Sequence, residues 1–182
     1  MPQTLLAFVS MLLVTVYSLN VQQQYLANQR RDIAREIEEM AGSIAVETME
    51  IIRARAFDQA VVDGTTTGTA ADLLLFEYQG SQDHFATGHQ CSIFGTGSDT
   101  CDDIDDFHKM ATATRPYDMG LDTLYFSVDV EVMYVDDNFE RFDGQTFNKA
   151  VTVIVRDVWP GSTMEPYLAQ PVRLSRVFSY TF

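Results

Sequence analysis

Positive charge is scarce in this chain. Its 182 residues carry 12 Lys and Arg against 26 Asp and Glu, a net charge of −14. Phosphate binding needs clusters of Lys and Arg, and none occurs, which argues against a nucleic-acid partner. Charge of either sign is absent before Arg30. The apolar run has no basic residue ahead of it and no clean A-x-A pattern after it, the two marks expected of a secretory signal peptide. Proline is absent between Pro2 and Pro116, and Gly42 is the only glycine before Gly64. Nothing in that span forces a helix to stop. Cysteine is almost absent, with Cys91 and Cys101 alone. A nucleophile elbow, a phosphate loop and a helical His-x3-His pair are all missing. The chain is therefore read as a non-enzyme, and the lone Trp159, beside Pro160, as a packed turn residue rather than a sugar platform.

What is present begins with "LLAFVSMLLVTVYSL", Leu5 to Leu19, broken only by Ser10, Thr15 and Ser18. It is a little shorter than the roughly 20 residues of a membrane span. With its flanks it is read as a tilted or shallow span. Beyond it, Ile33, Ile37, Met40, Ile44 and Ile51 recur at helical spacing, opposite Arg30, Arg31, Arg35, Glu36, Glu38, Glu39, Glu50 and Arg53. One long helix is expected, apolar in residues 1–29 and amphipathic in 30–62, ending near Phe57. Arg30, Arg31 and Arg35 follow the apolar run, so charge asymmetry alone would leave the C-terminal part in the cytoplasm. Removal of a basic leader just before Met1 would reverse that orientation.

Residues 63–121 are expected to be largely irregular, opening with the loop "DGTTTGTA". Only "ADLLLFEY" suggests a short strand or helical turn. Residues 122–182 then alternate apolar and polar in three runs: "DTLYFSVDVEVMYV", "QTFNKAVTVIVRDV" and "QPVRLSRVFSYTF". Phe126, Val128, Val130 and Val132 share one face of the first run. The expected class is α+β, a long N-terminal helix packed on a C-terminal antiparallel β-meander.

That plan resembles the type IV pilins and pseudopilins over nearly the whole chain. "AVETMEIIRARAFD" is similar to the helix end of minor pilins. "CDDIDDFH" is similar to an acidic motif in minor pilins of the mannose-sensitive haemagglutinin system. "FNKAVTVIVRDV" and "VRLSRVFSY" look like the paired last strands of such proteins. The family usually has Glu at the fifth mature position, where this sequence has Leu5 if Met1 is the first mature residue.

The resemblance implies a structural subunit with no chemistry to perform. A prepilin peptidase would remove the leader. The subunit would rest in the inner membrane and then be packed by assembly machinery, with copies of itself or related pilins, into an extracellular filament. Leu5, Leu6, Phe8, Val9, Leu12, Leu13, Val16 and Tyr17 would make the helix contacts of the filament core. The alternative is a minor pilin or single-pass binding module whose loop Asp63–Tyr117 touches a surface, and a membrane-anchored enzyme ranks last.

An outward-facing domain lets Cys91 and Cys101 oxidise to a disulfide across nine intervening residues. Around them lie Asp99, Asp102, Asp103, Asp105 and Asp106. These carboxylates could supply oxygens to calcium, though they follow no EF-hand pattern. They read equally as a solvated acidic loop with helix caps. His84, His89 and His108, with the two cysteines, match no recognised zinc spacing.

Overall fold

The structure, a computed structural model, describes residues 2–79, 82–85, 101–109, 113–118, 123–158 and 166–181. Helix α1 runs unbroken from Pro2 to Arg53, 52 residues. At about 1.5 Å of rise per residue it is roughly 78 Å long, far longer than the domain it serves. The hydroxyls inside its apolar run do not interrupt it. Ser10 Oγ donates to the Ala7 carbonyl at 2.9 Å and Thr15 Oγ1 to the Met11 carbonyl at 2.8 Å. Each polar group is thereby satisfied within the helix itself.

Only the second half of α1 meets the rest of the chain. Its buried face is Ile37, Ala41, Ile44, Ala45, Thr48, Met49 and Ile52. Of the expected stripe, Ile37 and Ile44 are buried, while Met40 and Ile51 pack partly buried against the core. Ile33 is exposed. The stripe is therefore centred one position away from where the large side chains placed it. Two alanines bring the helix backbone close to the sheet, and Thr48 hides its hydroxyl on the Ile44 carbonyl at 2.8 Å.

Past Arg53 the helix tightens, with the Arg55 amide donating to the Ile52 carbonyl at 3.0 Å. A four-residue helix α2, Gln59–Val62, follows, capped by Asp58, which accepts from the Ala60 amide at 3.0 Å. Strands β1 (Phe76–Gln79) and β2 (Gln82–Phe85) form a separate antiparallel pair. A 3-10 turn occupies Asp105–Phe107. Among the described residues of 63–121, regular structure is confined to such short elements.

The main sheet has the order β3-β4-β5-β6, antiparallel throughout. Its strands are β3 Ala113–Asp118, β4 Thr123–Tyr134, β5 Asn148–Val158 and β6 Val172–Ser179. The last three occupy the three alternating runs. On β4 one face is Leu124, Phe126, Val128, Val130, Val132 and Tyr134, all buried. Cross-strand register places Val130 opposite Val153 and Val132 opposite Val151, so β5 presents Val151, Val153 and Val155 to the same side. Helix α1 packs on β5 and β6. Each fully buried aliphatic side chain in that layer contributes about 1.5–3 kcal/mol relative to exposure. The α+β class read from the sequence is the architecture observed, and it is compatible with a pilin-like fold.

Candidate functional site

Two features stand apart from the core. The first is the free half of α1. Every described side chain from Ala7 to Ile33 is exposed. Among the expected core contacts, Phe8 is 67%, Leu12 52%, Leu13 66% and Tyr17 73% exposed, with Val9 and Val16 also open. The side chains of Leu5 and Leu6 lie outside the described residues. Up to Leu19 this segment has no polar face, since its apolar residues run all the way round. Such a helix is stable in water only when something covers it.

The apolar run of α1 ends at Leu19, where Asn20 and Gln22–Gln24 follow. Its 15 residues rise about 22 Å, short of the roughly 30 Å hydrocarbon core of a bilayer. Among the described residues, no helix is long and apolar enough to cross a membrane.

The second feature lies at the far end of the same helix. Beyond Arg53 the chain forms a parallel bridge with the acidic loop. The Ala56 amide donates to the Asp102 carbonyl at 3.1 Å, and the Ile104 amide to the Ala56 carbonyl at 3.0 Å. Cys101 is buried and disulfide-bonded. Cys91, the other cysteine of the chain, lies outside the described residues, as does Asp99. The loop also docks on β4: the Lys109 amide donates to the Val130 carbonyl at 2.9 Å, and the Val132 amide to His108 Nδ1 at 2.9 Å. A His108 nitrogen that accepts from a backbone amide is not free to bind zinc. The His84 side chain and all of His89 lie outside the described residues.

The loop's aspartates divide by role. Asp105 turns inward to Lys149, whose Nζ lies 2.6 and 2.7 Å from the two carboxylate oxygens. It is therefore absent from the cluster that its sequence neighbours form. Asp102, Asp103 and Asp106 each bring an oxygen within 4.8 Å of the other two. Asp103 Oδ1 accepts from the amides of Asp105 and Asp106 at 2.7 and 3.1 Å, capping the 3-10 turn. Asp106 Oδ2 accepts from the Asp102 amide at 3.1 Å.

Sequence reasoning missed the group at the centre, Lys149. It is fully buried and spends all three of its protons: on the Phe57 carbonyl at 2.8 Å, on Asp58 Oδ2 at 2.7 Å and on Asp105. The rings of Phe57 and Tyr134 lie 4.5 and 5.0 Å from its Nζ, within cation–π range. A signal was available. Lys149 is in phase with Val151, Val153 and Val155, and a charge in phase with a core face must have a buried partner.

Burial acts on Asp58 to raise its pKa, but the charge of Lys149 and hydrogen bonds from Lys149, Ala60 and Leu74 outweigh it and hold the carboxyl below 3.8. Asp103 and Asp105 go the other way, because burial dominates. Asp106 is pushed up to about 6, first by burial and then by the charge of Asp103. Burial also raises the Tyr134 phenol.

Comparison of the chain with protein-family models, with curated proteins and with solved structures finds no match.

Proposed function

We propose that the chain is a structural subunit of a type IV pilus-like extracellular filament. The observation that carries this reading is the free half of α1, exposed, apolar on all sides up to Leu19, and continuous with a helix whose other half is fixed to a folded head. Copies of such a subunit bury this surface by packing their helices together, with the heads outward. Before assembly the same residues rest in the inner membrane, and assembly exchanges lipid contacts for helix–helix contacts. The resemblance of the loop and strand motifs to minor pilins supports the reading.

The test is assembly itself. Electron microscopy of sheared cell-surface material, with mass spectrometry of the band, should show filaments containing this chain. Phe8→Asp or Leu12→Asp should abolish them, because an unpaired charge among packed apolar helices is costly. The melting temperature of the head should not move, since its buried face begins at Ile37. A chain beginning at Gln29 should be soluble and monomeric. Filaments formed by that shortened chain would sink the proposal.

A further inference from the structure

The turn at Cys101–Phe107 carries more negative charge than its protein partners neutralise. Lys149 is engaged by Asp58 and Asp105. Among the described residues no ion pair reaches Asp102, Asp103 or Asp106. Asp103 is wholly buried, yet no described protein group donates to its Oδ2. Its Oδ1 is already committed to two backbone amides, so Oδ2 is the oxygen left to ligate. An orphaned buried carboxylate oxygen costs about 1–3 kcal/mol or more unless something binds it. A surface loop would turn such an oxygen to water, but here the bridge to Ala56 and the turn amides lock it in place.

We propose that Asp102, Asp103 and Asp106 form a binding site for a hard divalent cation, calcium by preference. Oxygen ligands around one calcium ion sit 2.3–2.6 Å from it, so any two of them are at most about 5 Å apart. The three carboxylates meet that limit as folded. Asp103 and Asp106 are buried and Asp102 is half-buried. One side of the site therefore stays open to water, which completes the six to eight oxygens that calcium takes. Magnesium, which keeps shorter and stricter octahedral distances, fits three carboxylates on one short turn less well. The set is narrower than the five aspartates suggested by sequence, because Asp105 belongs to Lys149. The site does not depend on filament assembly.

The full chain, purified in detergent and stripped with chelator, is titrated with calcium chloride by calorimetry. One calcium per chain should bind with a dissociation constant of roughly 1 mM or tighter, the range of extracellular calcium modules. The melting temperature should rise on adding calcium. Asp106→Asn and Asp102→Asn should each weaken binding at least about tenfold, as loss of one of three charged ligands implies. Asp102 is half-buried, so its variant keeps the fold even where Asp106→Asn does not. Asp136→Asn, in the exposed β4–β5 turn, should bind like the unaltered chain. Absence of saturable binding up to 10-fold above that constant overturns the proposal. So does binding that Asp102→Asn and Asp106→Asn leave unchanged, which would place the ion elsewhere on the acidic surface.

Discussion

Tyr134 and Lys149 stand directly opposite each other on β4 and β5, and both reach one carboxylate, Asp58. The Tyr134 hydroxyl lies 3.0 Å and the Lys149 ammonium 2.7 Å from Asp58 Oδ2. The same hydroxyl also lies 2.8 Å from the Leu74 carbonyl. Asp58, five residues past the end of α1, is thereby tied to the two central strands and to the start of the irregular region.

Lys149→Met should destabilise the head by roughly 3–5 kcal/mol, because it leaves Asp58 and Asp105 buried without their cation. Adding Asp58→Asn and Asp105→Asn should restore much of that loss, since the uncompensated charges are then gone. Urea denaturation of the three chains measures both effects. A single variant as stable as the unaltered chain would show that the cluster carries no net charge at neutral pH.

Stability should depend on pH in two directions. Asp58 is held below 3.8, so its contribution is complete above that value and is lost as pH falls through it toward the depressed folded value. The groups facing it are Lys149, Tyr134, Asp105 and Asp103. Asp106 is raised to about 6, so its contribution is complete below 3.8 and is lost as pH rises through 6. With chelator present, the denaturation midpoint should therefore be highest near pH 4 and fall as pH rises through 6. A midpoint that climbs steadily to pH 8 would contradict this.

A non-reduced peptide map of native protein should show Cys91 joined to Cys101. Closing a loop of this size stabilises by roughly 2–3 kcal/mol in the chain-entropy model. Reduction, or Cys101→Ser, should accordingly lower the melting temperature. Free thiols in native material would count against an oxidising location for the head.

The helix and three of the four main strands were legible because their signals are periodic. No proline interrupts α1 after Pro2, and every second residue of β4 from Leu124 to Tyr134 is a large apolar side chain. β3 was not legible, because it is short, lies at the edge of the sheet, has mostly exposed side chains and contains Pro116. The acidic loop was visible as composition, but its division of labour was not. Whether Asp105 or Asp106 faces inward depends on the phase of a single 3-10 turn and on a lysine 44 residues away. Pairing over that distance leaves no local pattern. Lys149 itself was readable in principle, as a charge in step with three valines.

The way the Cys101–Lys109 segment lies along β4 has a consequence for how copies of the head can meet. An open row of amides and carbonyls at a sheet edge invites another chain to add a strand. Here the outer edge of β4 is taken up first by β3, which contains Pro116, and then by His108 and Lys109. At the opposite edge, β6 bears Arg173 and Arg176. Both edges are blunted by means that natural sheets use against runaway stacking. Heads crowded at high local concentration can therefore touch without fusing into a continuous ribbon, and the order of any polymer is left to the helices.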